Sequence, residues 1–174
     1  KMDDLLIGDK NALMLGTRVL GYGKDYEVEI EDPDTSLKVE FNVDLTSLEA
    51  KKIDEKIYKN GENKFSYELP NSKRTLEFKM LTHKDEQEVD NTLKQYSKIE
   101  KVTGVSSALT TRLKKQILSV DGETEQSKIN AFVDNQFLAL DTRAFRDYVD
   151  SLSPDIEFEY QYTSQIGEPH TVNV

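Results

Sequence analysis

Apolar and polar residues change period several times along this chain, and each change marks the start of a new element. From Leu5 to Leu20 the apolar positions Leu6, Leu13, Leu15, Val19 and Leu20, with small Ala12 and Gly16, predict a mostly buried helix. Asp9 is a candidate N-cap, since its carboxylate can accept from the free amides of a first turn. Gly21 and Gly23 predict the helix end, because glycine enters left-handed dihedrals at little cost. The period then drops to two. Tyr26, Val28 and Ile30 alternate with Glu27, Glu29 and Glu31; Asp32-Pro33-Asp34-Thr35 reads as a turn; Leu37, Val39, Phe41 and Val43 alternate on the way back. Ser47 to Tyr58 is a candidate helix, followed by a loop at Lys59-Asn60-Gly61-Glu62-Asn63.

A second hairpin repeats the grammar, with Phe65, Tyr67 and Leu69 before Pro70-Asn71-Ser72-Lys73 and Leu76, Phe78 and Met80 after it. Thr82-His83-Lys84-Asp85 has the spacing of a capping box and predicts a long helix striped by Val89, Leu93, Tyr96 and Ile99. Thr103-Gly104 breaks it. Val105, Leu109, Leu113 and Ile117 predict another amphipathic helix ending near Asp121-Gly122. Two more helices are marked by Ile129, Phe132, Val133 and Phe137, and by Phe145, Tyr148, Val149 and Leu152, the second with Asp141 as its candidate cap. Ser153-Pro154 ends the helical part. Ile156, Phe158, Tyr160 and Tyr162 then predict a strand, with a loop from Thr163 to Pro169 and a short return strand at Thr171-Val172-Asn173-Val174.

This order predicts an α+β fold with no βαβ alternation and hence no parallel sheet. The expected division is 1–80 for the first helix and two hairpins, 81–153 for the helical cluster and 154–174 for the last hairpin, as one unit or two lobes. At 174 residues there is enough chain to bury a working core. Acidic residues outnumber basic ones 33 to 23, a net charge of -10. That balance disfavours a nucleic-acid surface, which needs a positive field to release counterions. No run is long and apolar enough for a membrane span or a signal-peptide core, so a soluble chain is expected. The absence of cysteine excludes disulfides and thiolate metal sites. Lys1 ahead of Met2 reads as a vector remnant or the trace of an upstream segment rather than as maturation.

Catalytic chemistry finds little to work with. His83 and His170 stand alone beside turns or caps and read as solvent-facing turn residues rather than as bases or metal ligands. Glu27, Glu29, Glu31, Asp32 and Asp34 lack the spacing of a calcium loop and read as a charged strand face, as do Glu157 and Glu159. Gly21-Tyr22-Gly23 follows a helix, whereas phosphate-binding glycine loops follow a strand. Arg112-Leu113-Lys114-Lys115 reads as a solvated or protein-contacting helix face. No serine or threonine sits in a nucleophile-elbow pattern. No catalytic, metal or cofactor-binding residue is assigned, and an enzyme is not expected.

Four blocks nevertheless share an order with a known family. Ile7-Gly8-Asp9-Lys10-Asn11 with its exit Gly21-Tyr22-Gly23-x-x-Tyr26-Glu27, Leu69-Pro70, Leu81-Thr82-x-x-Asp85-Glu86, and Leu140-Asp141-Thr142-Arg143-Ala144-Phe145-Arg146 with Pro154-Asp155-Ile156 resemble the baseplate hub subunit family of T-even-like contractile-tailed bacteriophages. The resemblance runs in order along nearly the whole chain. It implies a non-enzymatic structural subunit or assembly factor, made in the host cytoplasm and placed in the virion tail baseplate. Implied partners are other tail and baseplate proteins (the hub, the tube initiator or the tape measure), with homo-oligomerisation among the expectations. A tail assembly chaperone absent from the mature virion and an unrelated acidic adaptor domain are the alternatives. Relatives carry paired cysteines at the tips of the first and last hairpins, the makings of a structural zinc site. Here those tips read Asp32-Pro33-Asp34-Thr35 and Thr163-Ser164-Gln165-Ile166-Gly167, so the resemblance implies a cysteine-free, zinc-ribbon-like pair of hairpins, side by side and without metal.

Overall fold

A computed structural model describes residues 2–54, 57–58, 61–103, 107–164, 166–167 and 169–173. The side chain of Ile99, the break at Gly104, Val105 and parts of the expected 59–63 and 163–169 loops lie outside the described residues. The fold is mixed α+β with antiparallel sheets. Its contacts separate two units, 1–7 with 53–153 and 8–52 with 154–174, so the chain passes between them after Ile7, Lys52 and Ser153.

The larger unit is built on a three-stranded antiparallel sheet. Strands β3 (Phe65–Glu68) and β4 (Thr75–Phe78) form the second hairpin, with Phe65 opposite Phe78 and Glu68 opposite Thr75. Alternation gives this hairpin one apolar face. Strand β5 (Ile117–Val120) adds to the far side of β4. Among the described residues the α-helices of the unit are α2 (His83–Thr103), α3 (Ala108–Gln116), α4 (Gln126–Asn135) and α5 (Ala139–Leu152). Leu69, Leu76, Phe78, Ile117, Ile129, Phe132 and Phe145 pack together as one buried core. Phe78 meets Phe145 edge to face at 5.1 Å, and Tyr67 stacks on Tyr148 at 4.3 Å.

Helix α2 starts where its capping box predicts. The Asp85 amide donates to Thr82 Oγ1, and the Thr82 amide donates to Asp85 Oδ2 at 3.1 Å. Burial pushes the Asp85 carboxyl up, but Lys79 at 2.7 Å and the Thr82 donors hold it below its usual value. The helix expected to run to Asp121-Gly122 ends at Gln116 instead. Ile117 turns to extended backbone, and Ile117 to Val120 pair with β4. The four-residue spacing of Leu109, Leu113 and Ile117 suits a helix, yet Ile117 and Val120 also suit a strand, and the open edge of β4 decides it. Asp121 and Gly122, at φ 52° and 82°, then reverse the chain.

The smaller unit contains helix α1 (Ile7–Tyr22, its first residue counted with the larger unit), the hairpin β1 (Asp25–Glu31) with β2 (Lys38–Asp44), and the hairpin β6 (Glu159–Thr163) with β7 (Pro169–Asn173). Gly23, at φ 88°, ends α1 and donates its amide to the Val19 carbonyl. Because α1 starts at Ile7, Asp9 lies inside the first turn and is not its N-cap; there its charge still complements the helix dipole. Nor is α1 mostly buried. Gly8 is its one buried residue, while Leu13, Met14, Leu20 and Tyr22 are exposed. One side of the helix is partly covered, and among the described residues of the unit the buried apolar ones are Val43 and Leu45.

Ser47 to Tyr58 is not an α-helix over its described residues. Leu45–Ser47 forms one 3-10 turn capped by Asp44, and Ala50 then bridges Ile156. Lys51 donates to the Asp155 carbonyl and Glu157 to the Glu49 carbonyl, tying this segment to the chain that leads into β6.

Candidate functional site

The polar groups that two hairpins bring together in the smaller unit are the natural place to look for chemistry. The turn after β1 is organised by Asp32, which is fully buried. Its Oδ1 accepts from the amides of Asp34 (2.9 Å) and Thr35 (3.1 Å), the geometry of an Asx turn. That turn presents Asp34 to the last hairpin, where His170 Nε2 lies 2.6 Å from Asp34 Oδ2. The hydrogen bond from His170, helped by a second from Ser164, holds the Asp34 carboxyl below its ordinary value. Phe41 on β2 stacks on Tyr160 and Tyr162 of β6 at 5.5 and 5.4 Å. Burial, with Asp32 and Asp34 nearby, pushes the Tyr162 hydroxyl up. Asp32 Oδ2 and the Tyr162 hydroxyl have no hydrogen-bond partner among the described residues.

Ser, Asp and His in one place invite comparison with a hydrolytic triad, but the order is wrong. A triad needs the imidazole against the hydroxyl and the carboxylate behind the imidazole. Here both Ser164 and His170 address the same carboxylate, so no base faces the hydroxyl. The arrangement joins the turn of the first hairpin to the last hairpin. It also differs from the sequence reading of two of its members. Asp32 is a buried turn organiser and not part of a solvated face, and His170 is a half-buried strand residue paired with an acid rather than a free turn histidine. The role of His170 has no local sequence signal, because its partner Asp34 lies 136 residues away, whereas the Asp32 turn is made with its own neighbours and only its burial is invisible in the sequence.

The other candidates resolve individually. Glu27, Glu29 and Glu31 point to solvent, with Glu29 paired to Lys38 across the hairpin. Glu157 and Glu159 are also exposed. His83 opens α2 and contacts Gln87 at 3.1 Å. The basic run at 112–115 is consumed internally: Arg112 forks onto Glu86, Lys114 holds Asp134 at 2.7 Å, and Lys115 holds Glu88. Those pairs leave little free positive charge for a phosphate backbone. Asp141 is not the cap of α5, which starts two residues earlier. It lies in the first turn, fully buried, and accepts from the Asn71 and Ser72 amides and the Asn71 side chain at 2.8–2.9 Å, pinning the β3–β4 turn. Burial opposes its charge, yet these donors bring its carboxyl down to about 2.

In the larger unit an open groove of about 590 Å³ is lined by Val89, Tyr96, Lys114, Lys115 and Gln126 among others. Its lysines Lys79, Lys114 and Lys115 are paired with Asp85, Asp134 and Glu88, so among the described residues no free acid–base set converges on it. Among the described residues no group of three or more histidine, aspartate or glutamate side chains is placed to hold a metal ion, and no helix is long and apolar enough to cross a membrane. What the surface does offer is exposed apolar side chains, on α1 and at Leu109, Leu138 and Leu140.

No curated protein and no solved structure matches the chain. A family profile described as T4 bacteriophage base plate protein matches residues 1–163, nearly its whole length. The chain belongs to the T4 bacteriophage base plate protein family.

Proposed function

We propose that this protein is a non-enzymatic structural subunit or assembly factor of the baseplate hub, working through protein–protein contacts. The family match across residues 1–163 carries this reading. Two features support it. Polar groups that could have served catalysis are spent on internal cross-links, as in Asp141 with Asn71 and Asp34 with His170. Large apolar side chains meanwhile stand on the surface, where they contribute nothing to the core and suit burial against another protein. The partners are other tail proteins at the centre of the baseplate, namely the hub, the tube initiator or the end of the tape measure. The exposed hairpin edges can add strands to a partner, and the helices between Thr82 and Leu152 offer side-chain contacts.

A phage carrying a null allele of this chain tests the proposal. Tails that stall without a complete baseplate, rescued by the chain supplied in trans, are the expected result. Normal numbers of infectious particles would overturn it.

A further inference from the structure

Helices α3 and α5 leave a groove between them, made of two adjoining hollows of about 380 and 470 Å³ that share Leu109, Arg146 and Asp147. Leu109 and Leu113 line it from α3; Ala139, Arg143, Arg146 and Val149 line it from α5, three or four residues apart. That α5 stripe is about 15 Å long, room for roughly three turns of a helix laid along it. Its apolar side is uncovered: Leu109 is 40% exposed, and Leu138, just ahead of α5, 52%. Charge here differs from the rest of the chain. Acids outnumber bases 33 to 23, so a carboxylate is generally within reach of a cation; Lys79 holds Asp85 and Arg112 holds Glu86. Arg146 lines both hollows, yet it forms no ion pair or hydrogen bond among the described residues. Arg143 reaches Asp147 only at 4.0 Å, with 83% of its side chain exposed. Asp150, a further acid of the groove, has an interaction of its own. Two guanidiniums thus face one exposed aspartate.

An unpaired guanidinium beside an uncovered leucine narrows what can bind. The guanidinium presents its donors as a planar fork that matches a carboxylate with two parallel hydrogen bonds. The apolar side of the groove asks for apolar side chains in the same ligand. Its walls are helices, whose backbone groups bond within the helix, so an extended strand finds no edge to join. A helix brings its own hydrogen bonds and lays side chains three and four apart into such a groove. A nucleic acid suits neither the leucines nor a chain of net charge -10. A second copy is also a poor fit, because its exposed helix α1 carries Asp9 against Lys10 and Arg18 and would set cations against Arg146. We propose that the groove seats an acidic amphipathic helix of another protein, its carboxylates meeting Arg143 and Arg146 and its apolar side chains meeting Leu109 and Val149. This partner chemistry deepens the protein-contact reading above and rests on it.

Photo-cross-linking in phage-producing cells tests it. A benzophenone amino acid replaces Leu109 or, separately, Leu138, with exposed Leu37 on the first hairpin as the control, and captured peptides are sequenced by mass spectrometry. The groove positions should capture one segment of another protein, apolar at helical spacing and net negative, that Leu37 does not. Arg146→Glu should lower that yield at least about tenfold, and Arg143→Glu should lower it too. Arg146→Lys should keep part of it, since lysine retains the charge but not the fork. Melting curves of all three variants should match the wild type, because Arg146 bonds to nothing in the fold and an exposed pair such as Arg143 with Asp147 adds little stability. Capture of a basic or uncharged segment, capture of another copy of this chain, a yield indifferent to Arg146→Glu, or no capture above the control from either position would each overturn the proposal. An acidic segment from a protein outside the tail would uphold the groove and overturn the hub reading; a tail protein caught through a non-acidic segment would do the reverse.

Discussion

Asp141 and Gly8 each hold local structure through a contact with a distant part of the chain. Asp141 brings a buried carboxylate to the amides of Asn71 and Ser72, and its carboxyl lies at about 2 against an ordinary 3.8. A depressed carboxyl favours the folded state above 3.8, and that contribution disappears as pH falls through the folded value. Thermal melts at stepped pH should therefore show stability falling between pH 3.8 and about 2. Asp141→Asn should be less stable at neutral pH and show a shallower loss across that window, because its amide no longer titrates. Gly8 is a case of space. A Cβ there would sit 1.7 Å from the Pro154 carbonyl oxygen, so the backbone itself must move. Gly8→Ala should cost on the order of 1–3 kcal/mol in chemical denaturation, where the same change at open Gly16 should be neutral or mildly stabilising. The demand on Gly8 is invisible in sequence, since it is set by Pro154, far along the chain.

Among the elements, those that announce themselves locally were the legible ones. Alternation on both sides of a turn marks β1–β2 and β3–β4, and the capping box marks the start of α2. Thr82→Ala removes that cap and should cost about 1 kcal/mol, read as a lower unfolding midpoint with an unchanged denaturant slope. Elements settled by distant partners were not legible. Ile117 to Val120 carries helical spacing and strand composition at once, and the free edge of β4 selects the strand. The apolar content of α1 indicated a buried helix, but composition records how greasy a segment is and not whether anything covers it. Asp9 and Asp141 were cap candidates by residue type, and both helices start two residues earlier, leaving each acid inside the first turn.

At the scale of the whole molecule, the two units differ in how they are held. The larger has an aromatic and aliphatic core around Phe78 and Phe145; the smaller relies on stacked rings at Phe41, the Asp34–His170 pair and few buried apolar residues. A thin core with an uncovered apolar helix is what a subunit completed by its neighbours would look like, and membership of a base plate family supplies such neighbours. No functional chemistry was legible in the sequence, and the exposed apolar residues of α1 became visible only when exposure could be seen residue by residue. Of the two roles proposed, subunit and assembly factor, the exposed apolar surface favours a subunit retained in the finished baseplate. Quantitative mass spectrometry of baseplates isolated from finished particles tests it most directly. The chain should be present at a fixed whole-number ratio to the other central subunits. Its absence from finished baseplates, with abundance only in assembly intermediates, would contradict the claim and identify a chaperone instead.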